Sequence, residues 1–310
     1  MIVSTNIYYN PEGLSHDTGP GHPEQIARLQ TILELLKSPP FDKLSVLSCK
    51  EQDLTPVLYA HSQEYVDFIA ENEPDHGFTE IDGEVVLCPG SFEAALSAAN
   101  TLCKAVDDVM SDKCQRAFCA VRPPGHHALD NRPMGFCIFD NIFIAAKHAQ
   151  KNYSLKKILI IDFDVHHGNG TDHLSRKSEG IFFISTHQSP LYPGTGDPKY
   201  DEPGKTLNIP LSAGTSSEIF RMTYEKEVFP IIDTYQPEII LISAGFDAHN
   251  DDPLANICLS EDDYYWVTEK ICHYADKHCG GKVIAALEGG YNLEALNLSV
   301  AAHLRALANL

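Results

Sequence analysis

The sequence predicts an α/β fold in three layers, with a central, mainly parallel sheet between two layers of helices. Short runs that are apolar nearly throughout alternate with longer amphipathic stretches along the chain. Strands covered on both faces read that way, and strand–helix alternation is what parallel crossovers produce. The chain has 310 residues, 43% of them hydrophobic, so one large core is within reach. No internal repeat, low-complexity tract or flexible linker interrupts it. A single domain spanning 1–310 is therefore expected.

Taken in order, strands are expected at Met1–Ser4, Leu44–Leu47, Ala117–Val121, Lys157–Ile161, Ile181–Ser185, Glu238–Ser243 and Lys282–Leu287. Helical patterns cover Glu24–Lys37, Ser91–Met110, Asn141–Gln150, Ser216–Tyr235 and Glu261–Lys277. Ser216 with Glu218, and Ser260 with Asp263, have the form of helix starts.

Composition narrows the function. A formal charge of −20, from 43 acidic and 23 basic residues, repels phosphate backbones and attracts cationic partners. Nucleic acid is thus not expected as a partner; lysine-rich tails and polyamines are compatible. Nine cysteines, odd in number, irregularly spaced and without a CxxC pair, suit reduced thiols in a cytoplasmic compartment. The start, MIVSTNIYYN, lacks the pattern of a signal peptide, and no apolar run is long enough for a membrane span. Nothing in the sequence fixes the oligomeric state.

In parallel α/β sheets, ligands sit beyond the carboxyl ends of the strands. Four expected strands end in chemically loaded segments. Ala117–Val121 leads to Arg122, Pro123, Pro124, Gly125, His126 and His127. Lys157–Ile161 leads to Asp162, Asp164, His166, His167 and Asn169. Glu238–Ser243 leads to Asp247, and Lys282–Leu287 to Glu288, Gly289, Gly290 and Tyr291. Positions i, i+2 and i+4 of an extended chain share a side, so Asp162, Asp164 and His166 aim at one point. A metal ion is the natural occupant, because clustered carboxylates would otherwise repel. Asp247 is a possible third ligand if one of the two aspartates lies behind the metal. An Asp/Gly turn is the structural alternative. His126 and His127 follow a rigid turn and could act as acid and base; Tyr291 could donate to an oxyanion.

These residues resemble the histone deacetylase superfamily. The matching strings are Arg122–Ala128 (RPPGHHA), Gly135–Asn141 (GFCIFDN), Asp162–Thr171 (DFDVHHGNGT), Pro193–Asp197 (PGTGD), Ser243–Ala248 (SAGFDA) and Glu288–Leu293 (EGGYNL). They occur in family order, and their wording is similar to class II deacetylases, bacterial deacetylase-like amidohydrolases and acetylpolyamine amidohydrolases. The resemblance implies an arginase/deacetylase-like fold with catalytic zinc on Asp164, His166 and Asp247. It implies that Asp162 holds His126 in one tautomer. Asn169 stands where class I members carry an aspartate that pairs with the second histidine. It also implies a structural potassium ion on Asp162, Ser185 and the backbone of Asp164 and His166.

By the same resemblance, Phe136, next to Gly135, and Tyr192 wall a narrow acyl-lysine channel. Tyr192 replaces a phenylalanine common there. Asp82 sits near a position that grips substrate backbone, and Leu254 where a polyamine-preferring relative has glutamate. Gln25 departs from an arginine frequent in the family's N-terminal loop. The implied reaction is removal of acetyl or other acyl groups from lysine side chains of proteins or peptides, with His127 protonating the leaving amine. Small acylated amines, processed by an acetylpolyamine amidohydrolase, are the alternative. A catalytically dead acyl-lysine reader and an arginase-type ureohydrolase rank below both.

Overall fold

The computed structural model describes residues 3–310. Its strands are β1 (Thr5–Tyr9), β2 (Ser45–Ser48), β3 (Thr79–Ile81), β4 (Val85–Leu87), β5 (Arg116–Ala120), β6 (Ile158–Asp162), β7 (Ile181–Gln188), β8 (Thr206–Leu211), β9 (Ile239–Ala244) and β10 (Val283–Leu287). Its helices are α1 (Ile26–Leu35), α2 (Leu54–Val57), α3 (Gln63–Asn72), α4 (Ser91–Met110), α5 (Asn141–Tyr153), α6 (Asn169–Arg176), α7 (Ser217–Thr223), α8 (Phe229–Tyr235), α9 (Glu261–His278) and α10 (Leu293–Ala308). Among the described residues the main sheet has eight strands, in the order β2-β1-β5-β10-β9-β6-β7-β8, every neighbouring pair parallel. β3 and β4 form a separate antiparallel hairpin.

The strands are apolar on both faces because both faces are covered. Alternate residues of one strand feed different cores: Leu159 and Ile161 pack with Leu29 of α1, Ile232 of α8, Val267 of α9 and Leu304 of α10. Ile158 and Ile160 pack with Val66 of α3, Val106 of α4, Ile144 of α5 and Leu174 of α6. This period-two division of one strand between two helical layers is the three-layer architecture expected.

Several boundaries differ from expectation. Of the strand expected at Met1–Ser4, Met1 and Ile2 lie outside the described residues, and Val3 and Ser4 precede β1. The helix expected over Ser216–Tyr235 is interrupted by a π turn at Tyr224–Val228. Pro230, in the first turn of α8, has no N–H to donate, and the amide of Phe229 instead reaches back to the Tyr224 carbonyl. At α9 the expected start holds: Ser260 and Asp263 form a reciprocal capping box.

Candidate active site

The central strands β5, β10, β9, β6 and β7 lie side by side, and their carboxyl ends converge. Register sets the depth. Asp162, the last residue of β6, pairs with Ser243 on β9 and Ser185 on β7, while Leu287 of β10 pairs with Ala244 of β9. The segments after β6, β9 and β10 therefore leave the sheet at nearly one level.

Asp164, His166 and Asp247 are buried, and one donor atom from each lies within 4.8 Å of the others. His166 Nδ1 is 3.1 Å from Asp164 Oδ1 and 3.0 Å from Asp247 Oδ2. Backbone amides hold both carboxylates from behind. Gly289 N–H donates to Asp164 Oδ2 at 2.8 Å, and Val165 N–H to Asp247 Oδ1 at 2.9 Å. Glycine is required at two of the supporting positions: a Cβ on Gly245 would meet Asp164 Oδ2 at 2.0 Å, and one on Gly289 would meet Asp247 Oδ2 at 2.1 Å. Burial, then the charge of Asp164, pushes Asp247 up to about 7. A buried cation would relieve that penalty. The donor spacing suits one, since ligand bonds of about 2.0 Å in a tetrahedron put donors roughly 3.3 Å apart. The Asp-His-Asp group thus fits a divalent ion, and Asp162 is not among the donors.

Asp162 instead faces the histidine pair. Its Oδ2 lies 2.9 Å from His126 Nδ1, and its Oδ1 accepts from the Asp164 amide at 3.0 Å. Burial opposes charge on His126, but Asp162 and Asp164 outweigh it and hold the imidazole well above its ordinary value. His127 is in the opposite position. Its Nδ1 lies 2.7 Å from Asn169 Oδ1, and burial, reinforced by His126 and His166, holds it well below its ordinary value. The two rings are 4.0 Å apart. One local fold therefore splits two adjacent histidines in opposite directions, the arrangement that separates acid and base roles.

A cavity of about 470 Å³ opens onto His127 and His166. Phe136, Gly135, Tyr192, Leu254 and Tyr291 line it. The Tyr192 ring is 5.3 Å from that of His127, and the Phe136 ring 5.9 Å from that of Tyr291. Gly135 has a left-handed φ of 55°, and a Cβ there would lie 2.3 Å from His127 Cδ2. Gly135→Ala is accordingly expected to displace the His127 ring and lower turnover about 10-fold or more, since a shift near 1 Å can cost about 10²-fold; steady-state kinetics of the purified variant will check this.

One expected site residue lies elsewhere. Asp82 occupies the tip between β3 and β4, with φ 57°, and is engaged by Arg132. Its hairpin neighbours Glu80, Gly83 and Glu84 line the cavity instead. Ser185 is buried within β7, beside Asp162 as expected, with its Oγ 3.0 Å from His187 Nδ1. Gln25 caps the start of α1; one turn later, Arg28 is the residue that enters the site.

Arg28 belongs to a buried network that sequence reasoning did not find. Its guanidinium lies over the Tyr291 ring, 5.0 Å from the centroid, and its Nε donates to the Gly290 carbonyl at 2.7 Å. Glu24 bridges Arg28 and Arg122, with Arg28 Nη1 at 3.2 Å and Arg122 Nη2 at 2.7 Å. Glu288 Oε2 accepts from the amides of Gly125 and His126 at 2.7 and 3.1 Å, so it anchors the histidine loop. Burial pushes Glu288 up to about 7.

An all-parallel sheet with this Asp-His-Asp group and histidine pair at its carboxyl edge defines a hydrolase of the arginase/deacetylase fold. A histone deacetylase domain model matches residues 22–307, and the chain belongs to that family. It is 39% identical to "Histone deacetylase 14, chloroplastic" of Arabidopsis thaliana, over 97% of this chain and 76% of that protein. It is 36% identical to a "Probable deacetylase" of Archaeoglobus fulgidus, over 94% of this chain and 82% of the relative. The crystal structure of the HDA15 HD domain superposes with a TM-score of 0.93 at 30% identity, covering 100% of this chain and 89% of that one.

Proposed function

We propose that the protein is a zinc-dependent amidohydrolase that removes acetyl or related acyl groups from lysine side chains of proteins or peptides. The observation that carries this reading is the buried Asp164, His166 and Asp247 donor set, open on the side of His127 and the aromatic channel. Two oxygens, one nitrogen and an open position suit catalytic zinc. When bound, zinc polarises an amide carbonyl and lowers the pKa of a bound water.

The remaining chemistry falls to the chain. His126, tied through Nδ1 to Asp162, keeps its positive charge and steadies the negative charge that develops as water attacks. His127, neutral before reaction and tied through Nδ1 to Asn169, takes up at Nε2 the proton that the attacking water releases and then delivers that proton to the leaving amine. The Tyr291 hydroxyl donates to the oxyanion of the tetrahedral intermediate. Phe136 and Tyr192 sheath the alkyl chain and exclude water. Products are a carboxylate and a free amine. For a structural potassium ion we assign Asp162, Ser185 and the backbone carbonyls of Asp164 and His166. The place of work we assign is the reducing cytoplasm, where the nine free cysteines stay reduced. Among the described residues, no helix is long and apolar enough to cross a membrane.

The test is metal analysis of the purified protein with hydrolysis of acyl-lysine peptides, with and without a chelator. Stoichiometric zinc and chelator-sensitive release of acetate are expected; metal-independent hydrolysis, or none, would overturn the reading. Tyr291→Phe keeps the ring beneath Arg28 but removes the hydroxyl. It is expected to cut kcat by roughly 10²-fold, the scale of a lost oxyanion donor, and unchanged kcat would remove Tyr291 from the mechanism.

A further inference from the structure

We propose that Glu84 is a specificity-determining residue that selects acylated amines bearing a second positive charge close to the amide. This rests on the amidohydrolase reading above and names the substrate class for that site.

Glu84 lies between β3 and β4, half-buried, on the wall of the channel. Its two oxygens are not equivalent. Oε2 accepts from the Tyr192 hydroxyl and, at 3.2 Å, from the Gly135 amide. Those two donors fix it against both sides of the channel, and Gly135 in turn abuts His127. Oε1 makes no hydrogen bond to the protein among the described residues, although the carboxylate faces the cavity. No lysine or arginine is among the described residues lining that cavity. The nearby guanidinium of Arg132 is engaged by Asp82.

A carboxylate so placed discriminates in both directions. A substrate filling the channel removes water from Oε1. If a methylene chain or a neutral flank faces it, the charge is left without a partner. An ammonium or guanidinium there restores a charge-assisted hydrogen bond. Sites with a fixed polar group reject ligands that leave it unpaired more strongly than apolar pockets reject small differences in shape. The cation has two possible sources with the same chemistry: an inner amine of an acylated polyamine, or an arginine beside acyl-lysine in a peptide.

The experiment compares kcat/KM of wild type and Glu84→Gln on acetylspermidine, an acetyl-lysine peptide with a neighbouring arginine, and the same peptide with alanine there. A wild-type preference for a cationic substrate over the alanine peptide is expected, falling about 10-fold in the variant, the scale of one charge-assisted contact. Using the ratio cancels any general loss from freeing Tyr192. The cationic substrate whose advantage collapses identifies the source. A wild type without preference, or a ratio unchanged by the substitution, overturns the proposal. Calorimetric binding of spermidine and of the deacetylated arginine peptide gives a readout without turnover. A Kd weakened about 10-fold in Glu84→Gln for either ligand supports the proposal even if hydrolysis fails and the amidohydrolase reading with it; equal values for both overturn it.

Discussion

Asparagine in place of Asp247 is expected to abolish metal retention and to cut turnover by about a thousandfold or more, the several kcal/mol that a Lewis acid contributes. The substitution is nearly isosteric, and the Val165 amide that holds Asp247 Oδ1 would still find an acceptor. Folding should therefore survive. What changes is charge: Asp164 would stand as the only carboxylate beside His166, and a neutral amide oxygen is a poor substitute ligand. Plasma emission analysis of the purified variant, with acetyl-lysine turnover measured across added zinc, provides the check. Full metal content with near-wild-type turnover would remove Asp247 from the ligand set. Comparison with Asp162→Asn sharpens the result. The Asp162 carboxylate contacts His126 and the Asp164 backbone amide rather than the donor atoms, and asparagine keeps an acceptor for that amide, so the substitution should impair turnover while leaving most of the metal in place.

The Asp162–His166 segment also shows what spacing alone could and could not resolve. The i, i+2, i+4 pattern aimed three side chains at one place, but β6 ends at Asp162 and the chain bends over residues 164–166, so only Asp164 and His166 join the donor group while Asp162 turns to His126. The pattern could not say which aspartate faces the ion, because that depends on Asp247 arriving from β9 and on the Gly289 amide arriving from β10. Those partners lie 81 and 125 residues away in the chain, beyond any local periodicity. The family motifs supplied the choice that spacing left open.

Fold elements were legible in proportion to how ordinary their environments were. Strands buried on both faces read directly as apolar runs. β8 did not, because Thr206–Leu211 carries Pro210, tolerated at a sheet edge where no further strand needs its missing N–H. α6 begins Asn169, Gly170, which reads as a turn; tertiary contacts hold it as helix, with the Gly170 amide bonded to the His126 carbonyl at 3.0 Å. α10 is buried around much of its circumference, so its amphipathic signal is weak. The β3–β4 hairpin is only three residues a side, too short to show alternation, yet it delivers Glu80 and Glu84 to the channel and leaves Asp82 on its tip. Sequence proximity alone could not separate these three acids.

Glu24 shows the same blindness with a larger energetic consequence, and Glu24→Gln is expected to destabilise the fold by about 3–5 kcal/mol, the scale of breaking a buried ion pair from one side. Arg28 and Arg122 are both fully buried, and their other acceptors are backbone carbonyls: Gly290 and Glu288 for Arg28, Gly13 and His16 for Arg122. Dipoles alone would then face two buried cations, and the amide nitrogen of glutamine would add a donor where donors already crowd. Since folded domains are stable by only about 5–15 kcal/mol, such a loss should be plain in denaturant unfolding at pH 7. The pH dependence carries a definite sign. Burial alone would raise Glu24, but Arg122 and Arg28 hold it at about 2, below its ordinary 4.5. A depressed carboxylate contributes stability that is complete above about 4.5 and is lost as pH falls towards 2. The gap between wild type and Glu24→Gln should therefore be widest at pH 5–7, roughly, and shrink on acidification through pH 4 to 3. A gap that stays constant over that window would show that the two arginines do not hold Glu24 ionised. Because Arg28 supports the Tyr291 turn and Arg122 opens the segment bearing His126 and His127, turnover should fall together with stability.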